Sequence, residues 1–238
     1  MAVNVEWNQI YCGPAPHPAV LWERWNLDPV VLLALLLMAY LLRRSRRGAA
    51  AVFVLAVAFV SPLCALSSAL FSARVVHHLL LIAVAAPLLA DLIRLPSRGQ
   101  AGLALAVSTT VLWGWHVPQA YDLALSNIGI YWLMQLSLIA SFVWFWQSVF
   151  APDRTPVEAI ALVVAGFTQM GMLGALLTFA SSQLYEAHAF APLEWGMLPL
   201  TDQQLGGLIM WIPAGIPYAI IVAVLARRFW GAGRVSAT

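Results

Sequence analysis

Apolar residues fall in seven long runs, at 28–42, 48–71, 74–93, 100–118, 128–150, 156–181 and 202–226, parted by short polar or arginine-bearing breaks. A hydrocarbon core of roughly 30 Å takes ~20 residues of helix, and inside it only helices and closed barrels satisfy their own backbone. The pattern predicts an all-α, polytopic membrane protein: a bundle of seven transmembrane helices over 28–226, a leader at 1–27 and a tail at 227–238. The first run is short and borrows from the leader, where Leu21, Trp22 and Trp25 form an interfacial aromatic anchor. His17, between two prolines, reads as a solvated loop residue. Pro62, Pro87, Pro213 and Pro217 predict kinks, while Gly166, Gly171, Gly174, Gly206 and Gly207 predict close helix contacts. The longest outer connection, 182–201, is too short to fold alone.

Composition agrees with this pattern. With 62% hydrophobic and 9% charged residues, the chain has too few charges to cover a soluble globule. All 12 basic residues are arginine, so a Schiff base on lysine is excluded. The net charge of +2 is spread over loops, which excludes a nucleic-acid patch. Met1 to Gly13 lacks the basic and apolar regions of a cleavable signal, so the first span is expected to direct insertion and the N-terminus to be retained.

Arginine placement sets the expected orientation. With the N-terminus outside and the C-terminus inside, Arg43, Arg44, Arg46, Arg47, Arg94, Arg98, Arg154, Arg227, Arg228 and Arg234 all lie inside, leaving Arg24 and Arg74 outside. Cys12 and Cys64, one in the polar leader and one within an apolar run, argue against a disulfide framework.

Candidate chemistry gathers in the outer half of the bundle. Arg74, His77 and His78 open the third run, and His116 ends the fourth; Tyr131, Met134 and Gln135 begin the fifth. Met170 and Met172 lie in the sixth, and Asp202, Gln203, Gln204 and Met210 descend along the seventh. Ionisable groups inside a membrane default to functional hypotheses, and imidazole with thioether is the ligand set that suits Cu(I). His77, His78, His116 and Met210 are the candidate copper ligands, with Arg74, Tyr131, Met134, Gln135, Asp202, Gln203 and Gln204 as a polar cluster beside them. Blander readings stand next to these. Adjacent helical residues point about 100° apart, so one of His77 and His78 is expected to be structural or interfacial. His116 reads equally as facing headgroups, and Thr201 with Gln204 as a capping box. An axial haem pair, such as His78 with His116, stays below the copper reading. There is no GxSxG, HExxH, P-loop or Cys-x-x-Cys pattern, so no enzyme is expected.

The blocks Phe71 to Leu81, Trp115-His-Val-Pro118 with Tyr121-Asp122, Gly171 to Phe179 and Asp202 to Pro213 together resemble the CtaG family of cytochrome c oxidase assembly factors. The order and spacing of the blocks run from Asp28 to Ala226. The resemblance implies a polytopic protein of the bacterial inner membrane that helps mature a haem-copper oxidase by handling copper on the periplasmic side, with oxidase subunits and membrane lipids as partners. It assigns His78, His116, Asp202, Gln203, Gln204 and Met210 to family positions. Arg74 stands where the family has its first helix-3 histidine, and Tyr131, Met134 and Gln135 occupy the positions of its His-x-x-Glu-His. An arginine offers no lone pair and opposes cation binding. Two functions compete: a remodelled copper site, or a metal-free subunit or docking module in which Arg74 pairs with Asp202, Asp122 or Gln135. A copper permease is a third, opposed by the scarcity of ligands on the inner halves, where Asp91 and Glu158 stand near the surface.

Overall fold

The computed structural model describes residues 11–92 and 100–235, with side chains as far as Arg227. Arg94 and Arg98 lie outside the described residues, as do the side chains of Arg228 and Arg234.

All regular elements among the described residues are helices. A short 3-10 turn, Pro18–Glu23, precedes the first helix, and Trp22 and Trp25 are exposed. Helix α1 (Pro29–Leu42) is capped by the Asp28 side chain on the Val30 amide at 2.8 Å. Helix α2 (Arg46–Phe59) starts under a Ser45 cap. The second run was expected as one span but is broken. Ser61 accepts the Leu63 amide and Pro62 takes the first turn of a new helix, α3 (Pro62–Ala69), bent 46° from α2. A serine N-cap followed by proline at the first helical position restarts a helix rather than continuing one.

The central helix runs from Phe71 to Ala90, as α4 (Phe71–Leu79), a π-helical segment at Leu80–Ala85 and α5 (Ala86–Ala90). Pro87 explains the wide turn. In a π turn each amide reaches the carbonyl five residues back, as Ala86 does to Leu81. Pro87 has no amide to give Ile82, and the Trp146 indole N–H bonds the Ile82 carbonyl instead, at 2.8 Å.

Around this axis stand α6 (Ala101–Trp115), α7 (Pro118–Ser126), α8 (Ile128–Val149), α9 (Pro156–Thr178), the single turn α10 (Ala191–Glu194), α11 (Pro199–Trp211) and α12 (Gly215–Val235). The Phe71–Ala90 window is 67% buried, against 17% for Pro199–Arg227, which identifies the former as the core of the bundle. α11 packs against α9 and α4, and α6 against α8. The α9–α11 contact needs glycine on both sides: a Cβ at Gly207 would sit 2.6 Å from the Gly174 carbonyl oxygen, and one at Gly174 would sit 2.8 Å from that of Gly207.

Among the described residues, four helices are long and apolar enough to cross a membrane, and the bent α2–α3 pair makes a fifth. The other two expected spans exist as apolar helices. However, α1 and α6 have 14 and 15 residues, and at 1.5 Å per residue they reach only about 21–23 Å.

The leader is joined to the bundle by a Cys12–Cys64 disulfide, contrary to the expectation for these cysteines. Breaking the second run places Cys64 in the first turn of α3, where the leader returns to the bundle, rather than within a continuous span. Tyr11 beside it stacks on Tyr131 and donates a hydrogen bond to Asp28 at 2.8 Å.

Candidate functional site

The first turn of α4 begins at Leu70, whose side chain can cap nothing. The missing acceptor comes from α11. Asp202 takes the Phe71 amide at 2.6 Å, the Ser72 amide at 3.1 Å and the Ser72 hydroxyl at 2.5 Å. Thr201 and Gln204 do not form a capping box, because α11 starts two residues before Thr201, at Pro199. Gln203 instead accepts the Leu184 amide at 2.8 Å, and Gln204 donates to the Ala180 carbonyl at 3.1 Å. These three adjacent side chains tie α11 to the start of α4 and to the chain that follows α9.

One turn below Asp202's contact lies Arg74, 1% exposed. Its Nε donates to the Ser67 carbonyl at 3.1 Å, while Nη1 and Nη2 are buried without a partner among the described residues. The guanidinium carbon stands 5.3 Å from the centre of the Tyr131 ring, within cation–π range. None of the three expected partners pairs with it. Asp202 is occupied by α4, Asp122 accepts the Glu186 and Ala187 amides at 3.2 and 3.1 Å, and Gln135 points its Nε2 toward His78 Nε2 at 3.5 Å.

His77 and His78 are both buried, at 0% and 4% exposure, so neither is interfacial. α4 is enclosed all round, and the two rings diverge to different neighbours. His77 meets the Phe59 ring edge-on at 5.0 Å, and neither of its ring nitrogens has a partner among the described residues. His78 faces Gln135. His116 also turns inward rather than to headgroups; its Nδ1 lies 2.7 Å from the Leu112 carbonyl. A carbonyl only accepts, so Nδ1 carries the proton and Nε2 keeps its lone pair.

Met134, Met170 and Met210 are buried, and Met172 is exposed; Met210 lies at the glycine-lined α9–α11 contact beside Gly174. Tyr131, on the first turn of α8, stacks on Tyr11 at 5.0 Å and has the Arg74 guanidinium 5.3 Å from its ring centre.

A group that the sequence reading did not single out seals this end. His188 is 2% exposed, accepts the Tyr121 hydroxyl on Nε2 at 2.8 Å and directs Nδ1 to the Ala69 carbonyl at 3.3 Å. Tyr185 stacks on Phe71 at 4.6 Å and donates to the His116 carbonyl at 3.0 Å. Burial, with Arg74's charge adding to it, pushes the His188 imidazole down to about 3. Burial raises Asp122, while its two loop amides hold it down. The 180–198 connection is thus locked into the bundle by Tyr121, Asp122 and Gln203. The available sequence signal was an aromatic and an imidazole three positions apart, Tyr185 and His188, in a connection that also holds Phe190 and Trp195.

No three His, Cys, Asp or Glu side chains gather at metal-ligand spacing among the described residues. The free ring nitrogens of His77 adjoin an uncompensated guanidinium, whose charge repels a cation. These side chains therefore form no ready-made three-ligand site for copper among the described residues. What the arrangement does is fix one rigid, polar-cored end of a helical bundle.

Residues 99–232 match the family model described as cytochrome c oxidase caa3 assembly factor. No curated protein and no solved structure matches the chain. The match spans more than half of the chain and includes Trp115-His-Val-Pro118, the Tyr121–His188 lock and the Asp202 to Gln204 block, though not the helix bearing Arg74. This chain belongs to the family of cytochrome c oxidase caa3 assembly factors, the CtaG family.

Proposed function

We propose that this chain is a non-enzymatic assembly factor for a haem-copper cytochrome c oxidase in a bacterial cytoplasmic membrane, working from the end that carries the Cys12–Cys64 disulfide. The observation that carries this reading is the family match over 99–232. The disulfide supports an outward-facing leader, since such bonds persist in oxidising compartments. Arg43, Arg44, Arg46, Arg47 and Arg154, at the opposite end, support an inward one there. Seven crossings belong to this reading, with α1 and α6 accommodated by local thinning of the bilayer. The outer end acts as a docking surface for an oxidase subunit, held rigid by Asp202, Gln203, Tyr121 and His188.

Copper handling at the outer side is the second reading, with copper as cargo. The ring nitrogens of His77, without a partner among the described residues and on a ring 5.7 Å from that of His78, favour it for an ion held in passing, against the opposing charge of Arg74.

Deleting the gene and following assembled oxidase on native gels tests the first reading: oxidase is expected to fall and to return on complementation. Undiminished active oxidase in the deleted strain sinks it. For the second, copper is measured after Cu(I) reconstitution in the wild type and in a His77→Ala, His78→Ala variant. Stoichiometric copper only in the wild type supports cargo handling, and none in either leaves docking alone.

A further inference from the structure

At the end opposite the disulfide, a cavity of about 590 Å³ opens between the α4–α5 run, α12, the end of α8 and the start of α9. Its wall on the central helix runs from Ala83 to Asp91, nine residues with about 12 Å of rise from first to last. Over that depth the lining is apolar, with Val84 and Pro87 on one side and Ile220 and Val224 on the other. The charges stand at one end only: Arg47, Asp91 and Arg154.

Arg47 is ion-paired with Asp91. Arg154 is mostly buried, its side chain 16% exposed; Nε donates to the Ser148 carbonyl at 3.3 Å, and Nη1 lies 3.9 Å from Glu158. The Glu158 carboxylate is already engaged by the Thr155 amide in the α9 capping box, so it holds Arg154 only loosely. Across this end the described arginines are Arg43, Arg44, Arg46, Arg47, Arg154 and Arg227, against Asp91, Asp153 and Glu158. The mouth therefore attracts anions.

We propose that this groove binds an anionic phospholipid, with the phosphate at Arg47 and Arg154 and an acyl chain along Val84, Pro87, Ile220 and Val224. A basic mouth between spanning helices on the inner side is the arrangement that captures acidic headgroups, and arginine meets phosphate with two parallel hydrogen bonds. The apolar depth selects against a peptide. Helical walls keep their backbone groups paired with one another, so an extended peptide entering here would strand its own amides. A hydrocarbon chain has none to strand.

The test uses the full chain in non-ionic detergent, mixed with equal phosphatidylglycerol and phosphatidylcholine of identical acyl chains and analysed by native mass spectrometry. Wild type is compared with Arg47→Gln/Arg154→Gln and with Ile220→Trp, which fills the groove and leaves the charges alone. The wild type is expected to retain phosphatidylglycerol at least tenfold over phosphatidylcholine. The double variant loses the preference, and Ile220→Trp loses retention of both lipids. If the double variant does not purify as a monodisperse helical protein, Ile220→Trp decides alone. Equal retention of the two lipids by wild type, or phosphatidylglycerol retention unchanged by the variants, overturns the proposal. So does a groove that takes lipid only when the chain is truncated after Arg227, which would assign it to the chain's own end.

Discussion

The carboxylate of Asp202 accepts the backbone amide of Phe71 at 2.6 Å across 131 residues of sequence, so that one helix supplies the N-cap of another. Residue 70 is a leucine, and without Asp202 the amides of Phe71 and Ser72 would be buried and unpaired. The negative charge also faces the positive end of α4's dipole.

Asp202→Ala is therefore expected to destabilise the protein by about 1–3 kcal/mol, the usual range for buried donors left unsatisfied. Asp202→Asn keeps one acceptor oxygen and is expected to lose less. Thermal melting in detergent checks the order. An Asp202→Ala variant that melts with the wild type would remove the cap from the account.

Arg74 is the opposite case, a buried charge whose two terminal nitrogens have no acceptor among the described residues. Replacing a buried charge by an apolar side chain of similar volume is often neutral or stabilising by about 1–4 kcal/mol. Arg74→Met is expected to melt at or above the wild-type temperature, whereas Arg74→Ala, which leaves a cavity, melts below it. A large loss in Arg74→Met would mean that the guanidinium is paired in the membrane.

Patterning alone located the apolar runs that fold as helices and picked out buried polar residues among them. It misjudged what those residues hold. Thr201 and Gln204 looked like a capping box, and Asp202 like a partner for Arg74, because local spacing is all that a sequence displays; the true partners of Asp202 are 130 and 131 positions away. The Cys12–Cys64 bond was hidden by the assumption that 48–71 forms one helix, although Ser61-Pro62 carries the chemistry of a fresh N-terminus. His188 stands in a connecting loop where local spacing shows no partner; only the packing of Tyr121, Phe71 and Ala69 around it reveals that it is buried and held. The family match identifies the chain's relatives, but it cannot supply Arg74's role, since that helix lies outside the matched residues.

The disulfide closes a segment of sequence separation 52. Cross-links of this kind typically stabilise by about 2–4 kcal/mol through the unfolded chain. A Cys12→Ser/Cys64→Ser variant is expected to melt lower than wild type and to admit protease to the leader near Tyr11, which otherwise packs on Tyr131 and Trp132. Limited proteolysis with and without a dithiol reductant reads this directly. Equal cleavage in both conditions would show that the aromatic contacts alone hold the leader.

His188 makes the docking of the 180–198 loop sensitive to acid. Solvated, its imidazole titrates near 6.5; docked, burial and Arg74 hold it down to about 3. The docked form is neutral and the released form takes a proton, so docking is fully stable above pH 6.5 and weakens as pH falls toward 3. The slope is about 1.4 kcal/mol per pH unit within that window. Asp122 acts the other way near its own lower range, because burial raises its pKa in the docked form. Amide hydrogen exchange of 182–190, corrected for intrinsic rates, is expected to show lower protection at pH 5 than at pH 7.5. His188→Gln, which can still accept from Tyr121, is expected to flatten the dependence. Equal protection at both pH values in wild type would mean that His188 is reached by solvent while docked, and that Gln203 and Asp122 alone hold the loop.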